Sequence, residues 1–259
     1  MNDAVKLLKQ AIRWLTYLVS RSCGRLVPLG EFFRTDKWNS HWYLKHYQYY
    51  FKPLRRKKLN LLEIGAGGYE DPQHGGKSLR MWKAFFPKAM IYSIDIYDKR
   101  ALQENRIRIF QGSQADEAFL RKIAAEIGRL DIVIDDGSHD NAHVIKTFRT
   151  LFPLLAEDGI YVVEDTQTSY WPGFGGTSEN LNETETIMGY FKSLTDGLNH
   201  AELLKPGFQA GYLDLWIKSI HFYHNLIFVI KGRNDEKSNV LKDNSTEEDW
   251  VRKGPKTAP

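Results

Sequence analysis

The feature that most constrains this chain is an alternation that begins at residue 59: short, nearly continuous apolar runs separated by amphipathic stretches. The runs are Leu59–Ile64, Met90–Ile96, Arg106–Phe110, Leu130–Asp135 and Gly159–Glu164. Helical stretches at Ser78–Phe86, Asp116–Ile127 and His143–Leu155 fall between them, and another follows at Ile187–Leu194. A strand that is apolar on both faces must be covered on both, and intervening helices are the covers. The pattern predicts a doubly wound α/β fold with a mostly parallel, Rossmann-like sheet. Two later runs, Ser219–Tyr223 and Leu226–Lys231, are joined only by His224–Asn225, so they should pair antiparallel as an edge hairpin.

With 259 residues, 42% of them apolar, the chain can build one such domain with a real core. It divides into a basic helical segment (1–58), the α/β domain (59–232) and a polar tail (233–259) that reads as flexible. Cys23 is the one cysteine, which excludes an internal disulfide and suits a reducing compartment such as the cytoplasm. The first 60 residues carry 13 basic against 3 acidic side chains, and the remainder 23 against 29. A basic front on an acidic body suits an anionic partner or a second copy of the chain. Val5, Leu8, Ile12, Leu15 and Val19 form an apolar stripe at helical spacing, with Lys6, Lys9 and Arg13 opposite. The stripe is too broken to span a bilayer; it suits packing on the body or on another subunit, or a peripheral membrane contact. Aromatics such as Trp42 and Tyr49 are expected to pack on the core. Neither a binding motif nor a strongly basic whole domain supports nucleic-acid binding.

Chemistry enters at the strand ends. Leu61-Leu62-Glu63-Ile64-Gly65-Ala66-Gly67-Gly68 closes the first strand with a glycine turn that lets backbone approach a ligand. Glu63 would repel a pyrophosphate and attract an ammonium or sulfonium. Asp95 ends the second strand, 30 residues after Gly65. The combination resembles the first motif of class I S-adenosylmethionine-dependent methyltransferases. That resemblance implies cofactor contacts from Glu63, Gly65 and Gly67, with Asp95 on the ribose hydroxyls. Ser113 and Gln114 stand where this fold meets the adenine, and Asp135 is placed toward the cofactor's amino group.

Asp135-Asp136-Gly137-Ser138-His139 follows the fourth strand and Glu164-Asp165 the fifth. Ligands bind at the carboxyl ends of strands in open α/β sheets. Carboxylates gathered there repel one another, and a hard divalent cation, Mg²⁺ or Mn²⁺, resolves the repulsion. Asp136, Glu164 and Asp165 are the candidate ligands. His139, beside them, is a candidate general base at neutral pH. Gln167, Tyr170 and Trp171 follow on a loop whose aromatic faces suit a sugar ring.

The runs TDKW (35–38), LLEIGAGGYEDPQHGGKSLRMW (61–82), SIDIYDK (93–99), DIVIDDGSHDNAHVI (131–145) and VVEDTQTSYWPGFGG (162–176) cover much of the chain. They resemble the metal-dependent sugar O-methyltransferases of mycinamicin-type macrolide, tetracenomycin and elloramycin pathways. The resemblance implies an S-adenosylmethionine and Mg²⁺ enzyme that methylates a sugar hydroxyl of a glycosylated natural product or polysaccharide; the expectation of a homo-oligomer rests on the basic front segment. Asp136, Glu164 and Asp165 match the family's metal positions, His139 its base, and Thr35 a stretch that closes over the cofactor. The chain departs from the macrolide enzyme in that only a short basic segment, not a large auxiliary domain, precedes the fold. Two other readings compete: a metal-dependent hydrolase or hydroxylase, which leaves Glu63 and Asp95 unexplained, and a non-catalytic cofactor-binding partner protein. The first is distinguished by a lack of S-adenosylmethionine binding, the second by binding without turnover.

Overall fold

The computed structural model describes residues 3–253; residues 254–259 of the expected tail lie outside the described residues. Three helices come first, α1 (Asp3–Cys23), α2 (Leu26–Phe33) and α3 (Leu44–Phe51). The alternating part follows as β1 (Asn60–Ile64), α4 (Lys77–Phe85), β2 (Met90–Asp95), β3 (Ile107–Gln111), α5 (Glu117–Ile127), β4 (Leu130–Asp135), α6 (Asn141–Leu151) and β5 (Leu155–Glu164). Helix α7 (Ile187–Ser193) precedes the hairpin of β6 (Ile217–Tyr223) and β7 (Leu226–Lys231).

The seven strands form one sheet in the order β3-β2-β1-β4-β5-β7-β6. Pairs among β1 to β5 are parallel, and β7 joins β5 antiparallel with β6 at the edge. The fold class read from the apolar runs is therefore the one observed. Strand alternation splits the core in two. Leu61, Ile91, Ile132 and Val162 pack with α2, α3 and α4 on one face. Leu62, Ile94, Val133 and Val163 pack with α5, α6 and α7 on the other. Chain order reverses between β1 and β4, which opens the crevice where such sheets bind ligands.

Local chemistry sets the helix ends. The Asp116 carboxylate accepts from Phe119 N (3.0 Å) at the start of α5, and the Asp140 carboxylate from His143 N (3.0 Å) at the start of α6. Helix α6 stops at Leu151 rather than continuing to 155, because Pro153 lacks the N–H that another turn requires. Strand β5 accordingly begins four residues before its expected start at Gly159.

One expectation changes. Trp42 and Tyr49 are 58% and 75% exposed; the buried face of their segment is Tyr43, Tyr47 and Phe51. Among the described residues the apolar stripe of α1 is largely exposed, while beside it Trp14 and Tyr17 pack on Phe32. The tail is anchored at its start: Asn234 Nδ2 donates to the carbonyls of Gly197, Leu198 and Asp214, and Asn244 Nδ2 to those of His200 and Leu203. No described helix is long and apolar enough to cross a membrane.

Candidate active site

The β1 turn and the end of β4 meet at the crevice. Gly65 adopts φ +91°, and a Cβ there would lie 2.2 Å from the Asp136 carbonyl oxygen. Only glycine fits, so the backbone of the turn presses directly on the strand that carries Asp136. Gly67 also has a positive φ, +72°, but a Cβ there would meet nothing within 4 Å, so the turn opens onto free space. Asp95, at the end of β2, accepts from Ala66 N (2.8 Å) and Tyr97 N (2.9 Å), tying the glycine turn to the neighbouring strand. Ser113 lies at the end of β3, where its hydroxyl accepts from Ala115 N.

Gln114 and Asp135 are buried under this rim. Gln114 Nε2 donates to Asp135 Oδ1 (3.1 Å) and its Oε1 accepts from Ser138 N (2.6 Å), so the amide braces the Asp136–His139 loop from below. Tyr161 OH donates to the other oxygen of Asp135. Burial pushes the Asp135 carboxyl up to about 7 despite these bonds. Both residues, expected at the cofactor, support the loop that carries the site.

Asp136, His139 and Asp165 converge, with ligand atoms within 4.8 Å of one another. His139 Nε2 is 4.0 Å from Asp136 Oδ1 and 3.6 Å from Asp165 Oδ2. His139 and Asp165 both adopt the left-handed backbone region (φ 56° and 53°), which turns each chain sharply as it leaves its strand. Burial works against the charge of Asp165, but the hydrogen bond from Tyr43 OH (2.7 Å) and the nearby His139 and His41 hold its carboxyl below the ordinary range.

Behind this trio lies a group that sequence spacing did not reveal. Lys37 is 1% exposed, and its Nζ sits 2.5 Å from Asp136 Oδ2, 2.7 Å from Glu164 Oε1 and 3.1 Å from Glu63 Oε1. Tyr47 OH donates to Glu164, and Trp82 Nε1 to Glu63 Oε2 (2.9 Å). Burial opposes the Lys37 charge, but Asp136, Glu164 and Glu63 outweigh it and raise its pKa well above the ordinary value. Burial also raises the carboxyls, Glu63 to about 7 and Glu164 well above its usual range. Glu63, expected to attract an ammonium or a sulfonium, faces the Lys37 ammonium. Glu164, expected as a metal ligand, shares its oxygens between Lys37 and Tyr47 and is not one of the three convergent groups. Thr35 is buried in the turn before Lys37, where its hydroxyl meets Asp36 and the Lys37 N–H. The TDKW run was the available signal for Lys37.

The donor set suits a hard divalent cation: two carboxylates and an imidazole converge, and three carboxylates share one buried ammonium. Beyond Asp165, the loop of Gln167, Tyr170 and Trp171 is held by Asn141. Its Nδ2 donates to Thr168 O (3.1 Å) and Phe174 O (2.8 Å), while Oδ1 accepts from Ile187 N.

No protein-family model matches the chain. Individual proteins do. Mycinamicin VI 2''-O-methyltransferase of Micromonospora griseorubida is 48% identical over 227 residues, 85% of this chain and 57% of that protein. Demethylmacrocin O-methyltransferase of Streptomyces fradiae is 48% identical over 87% of this chain and 59% of its own length. A rhamnosyl tetracenomycin-C 2'-O-methyltransferase of Streptomyces olivaceus is 46% identical over 87% and 60%. The chain thus spans less than two thirds of the length of these curated relatives. Among solved structures, the MycE methyltransferase of the mycinamycin biosynthetic pathway, in complex with Mg and SAH, superposes with a TM-score of 0.80 at 48% identity, covering 82% of this chain and 56% of MycE. Over most of its own length the chain is thus similar to sugar O-methyltransferases of macrolide and tetracenomycin pathways.

Proposed function

We propose that this chain is an S-adenosylmethionine-dependent O-methyltransferase that requires a divalent cation and acts on a sugar hydroxyl of a glycosylated natural product or polysaccharide. The observation that carries the reading is the convergence of Asp136, His139 and Asp165 beside the open glycine turn of β1. MycE, solved with Mg, SAH and mycinamycin VI, supports the same cofactor pair here.

Asp136, Glu164 and Asp165 supply the carboxylates that would hold the cation, with Lys37 and Tyr47 fixing Glu164. A bound Mg²⁺ or Mn²⁺ supplies Lewis-acid polarisation of the acceptor hydroxyl and a template for its orientation. Gly65 and Gly67 leave backbone room for the methyl donor, and the spare lone pairs of Asp95 are available to ribose hydroxyls. Ser113 borders the adenine end. Gln114, Asp135, Glu63 and Thr35 act from beneath, by fixing the loops.

His139 Nε2 would take the hydroxyl proton as the oxygen attacks the sulfonium methyl carbon. The C–S bond breaks, leaving a methyl ether and S-adenosylhomocysteine. The carboxylates of Asp136 and Asp165 beside His139 stabilise the imidazolium so formed. The exposed apolar stripe of α1 supports self-association.

Calorimetric titration with S-adenosylhomocysteine, with Mg²⁺ and after chelation, tests the assignment. Binding in the micromolar range supports it, and absence of binding under all conditions refutes it. His139→Ala is expected to lower turnover about 10²- to 10⁴-fold while leaving S-adenosylhomocysteine affinity unchanged. Equal loss of both would remove His139 from the role of base.

A further inference from the structure

The segment that leaves β2, residues 95–99, grips the glycine turn of β1 and its loop at two places. At its start, Asp95 accepts from the N–H of Ala66 (2.8 Å). At its end stands Lys99, a fully buried side chain that no step of the reaction above uses. Its Nζ donates to the carbonyls of Asp71 (2.6 Å) and His74 (3.1 Å), and among the described residues no carboxylate pairs with it. The charge is met instead by the backbone of the loop, residues 69–76, that continues the glycine turn.

That loop needs an outside fastener. Gly65, Gly67, Gly68, Gly75 and Gly76 all have positive φ, and so does Tyr69 at φ 46°. Glycine loses more freedom on ordering than any other residue, so the empty loop stays folded only if contacts outside it compensate. It packs on the turn backbone to backbone. A Cβ at Gly68 would lie 2.2 Å from His74 O, and one at Gly75 would lie 2.3 Å from Gly67 O. Gly76 N donates to Ala66 O (2.7 Å). The His74 carbonyl that accepts from Lys99 is thus the same atom that presses on Gly68. A neutral side chain would fill this space without the desolvation that a buried ammonium incurs. What the ammonium adds is charge-assisted bonding, stronger than a neutral hydrogen bond, to two carbonyls three residues apart.

We propose that Lys99 is a positioning residue for the methyl donor: its ammonium keeps the 69–76 loop folded on the Gly67–Gly68 turn before the donor arrives. The inference deepens the methyltransferase reading and rests on it for the identity of the ligand. Asp95 and Lys99 form a clamp of opposite charges, one taking an N–H of the turn and the other the carbonyls of its loop. A loop ordered in advance leaves less conformational entropy to be lost on binding. Without the ammonium the donor must order the loop itself, so affinity falls while turnover at saturating donor is kept.

Lys99→Met removes the charge and keeps much of the volume. Hydrogen exchange of the full chain without ligand reads the loop, and calorimetry with S-adenosylhomocysteine reads the binding. In Lys99→Met, exchange is expected to quicken at residues 66–76 but not in β4 or β5, and saturating S-adenosylhomocysteine should restore the protection. The dissociation constant should rise about tenfold with a less favourable binding entropy. The KM for S-adenosylmethionine should rise by the same factor with kcat unchanged. Gly75→Ala forces the loop off the turn from its other end, so it should give the same signature and keeps the test open if Lys99→Met does not fold. The two losses combined should be less than additive, since both report one contact. Unchanged exchange and affinity in Lys99→Met would overturn the clamp. Exchange quickened throughout the sheet would overturn it too, by marking a merely structural lysine. A loop-confined change in exchange, with no S-adenosylhomocysteine binding even in wild type, would keep the clamp and remove the methyltransferase reading.

Discussion

Lys37→Met is expected to destabilise the metal-free protein by about 3–5 kcal/mol at neutral pH, the range seen when one partner of a buried ion pair is removed. The Lys37 ammonium touches Asp136, Glu164 and Glu63, and two of those three carboxylates are as buried as the lysine. Methionine matches much of the volume and removes the charge, leaving the acids to repel one another in a medium that solvates them poorly. Urea unfolding of the chelated protein measures the loss. Adding Glu164→Gln to Lys37→Met should recover part of it, since fewer unpaired charges remain. A Lys37→Met protein as stable as wild type at neutral pH would show that the ammonium is not what holds the cluster.

Metal and pH should act on the same cluster, with a definite sign. Burial pushes the Glu63 carboxyl up to about 7 against about 4.5 for an ordinary glutamate, and Asp135 up to about 7 against about 3.8. A carboxyl whose folded pKa is raised contributes its full stability below the unfolded value and loses it as pH rises through the folded one. The chelated protein should therefore weaken between about pH 4 and 7, Glu63 alone accounting for a loss on the order of 3 kcal/mol. Asp165, held below its ordinary value, works the other way, and its contribution disappears only on strong acidification. Mg²⁺ needs ionised ligands, so its stabilisation should be larger at pH 8 than at pH 6. At a hundredfold excess over its dissociation constant the gain is about 2.7 kcal/mol. Thermal melts with Mg²⁺ or chelator at the two pH values measure this. Asp136→Asn should abolish the Mg²⁺ response, and a melting temperature that ignores Mg²⁺ in wild type would refute the metal site.

Much of this architecture was legible because parallel strands buried on both faces write themselves as apolar runs, and their ends as acids and glycines. Asp136, His139 and Asp165 are such ends, and they meet. What escaped were partners remote in the chain. Lys37 lies 99 residues from Asp136 and 127 from Glu164, and no local period points across that distance. The 41–51 segment failed for another reason. Aromatics occupy both faces of α3, so periodicity alone did not distinguish Tyr43, Tyr47 and Phe51, which go inward, from Trp42 and Tyr49, which face solvent. Glu63, Gln114 and Asp135 stand out in the sequence as groups expected to reach the ligand. The structure has them bonding under the loops, because a buried polar side chain must find a partner before it can serve a ligand.

The contact between Gly65 and the Asp136 carbonyl has a thermodynamic consequence. The turn that would receive the methyl donor and the strand end that would receive the cation share a backbone interface with no side chain between them to absorb a shift. Occupancy of one therefore biases the other, and such a bias is reciprocal. Whatever factor Mg²⁺ contributes to the affinity for S-adenosylhomocysteine, S-adenosylhomocysteine must return to Mg²⁺. Closing that binding cycle by calorimetry, in wild type and in Gly65→Ala, would express the pressure of one backbone on another as a single coupling constant.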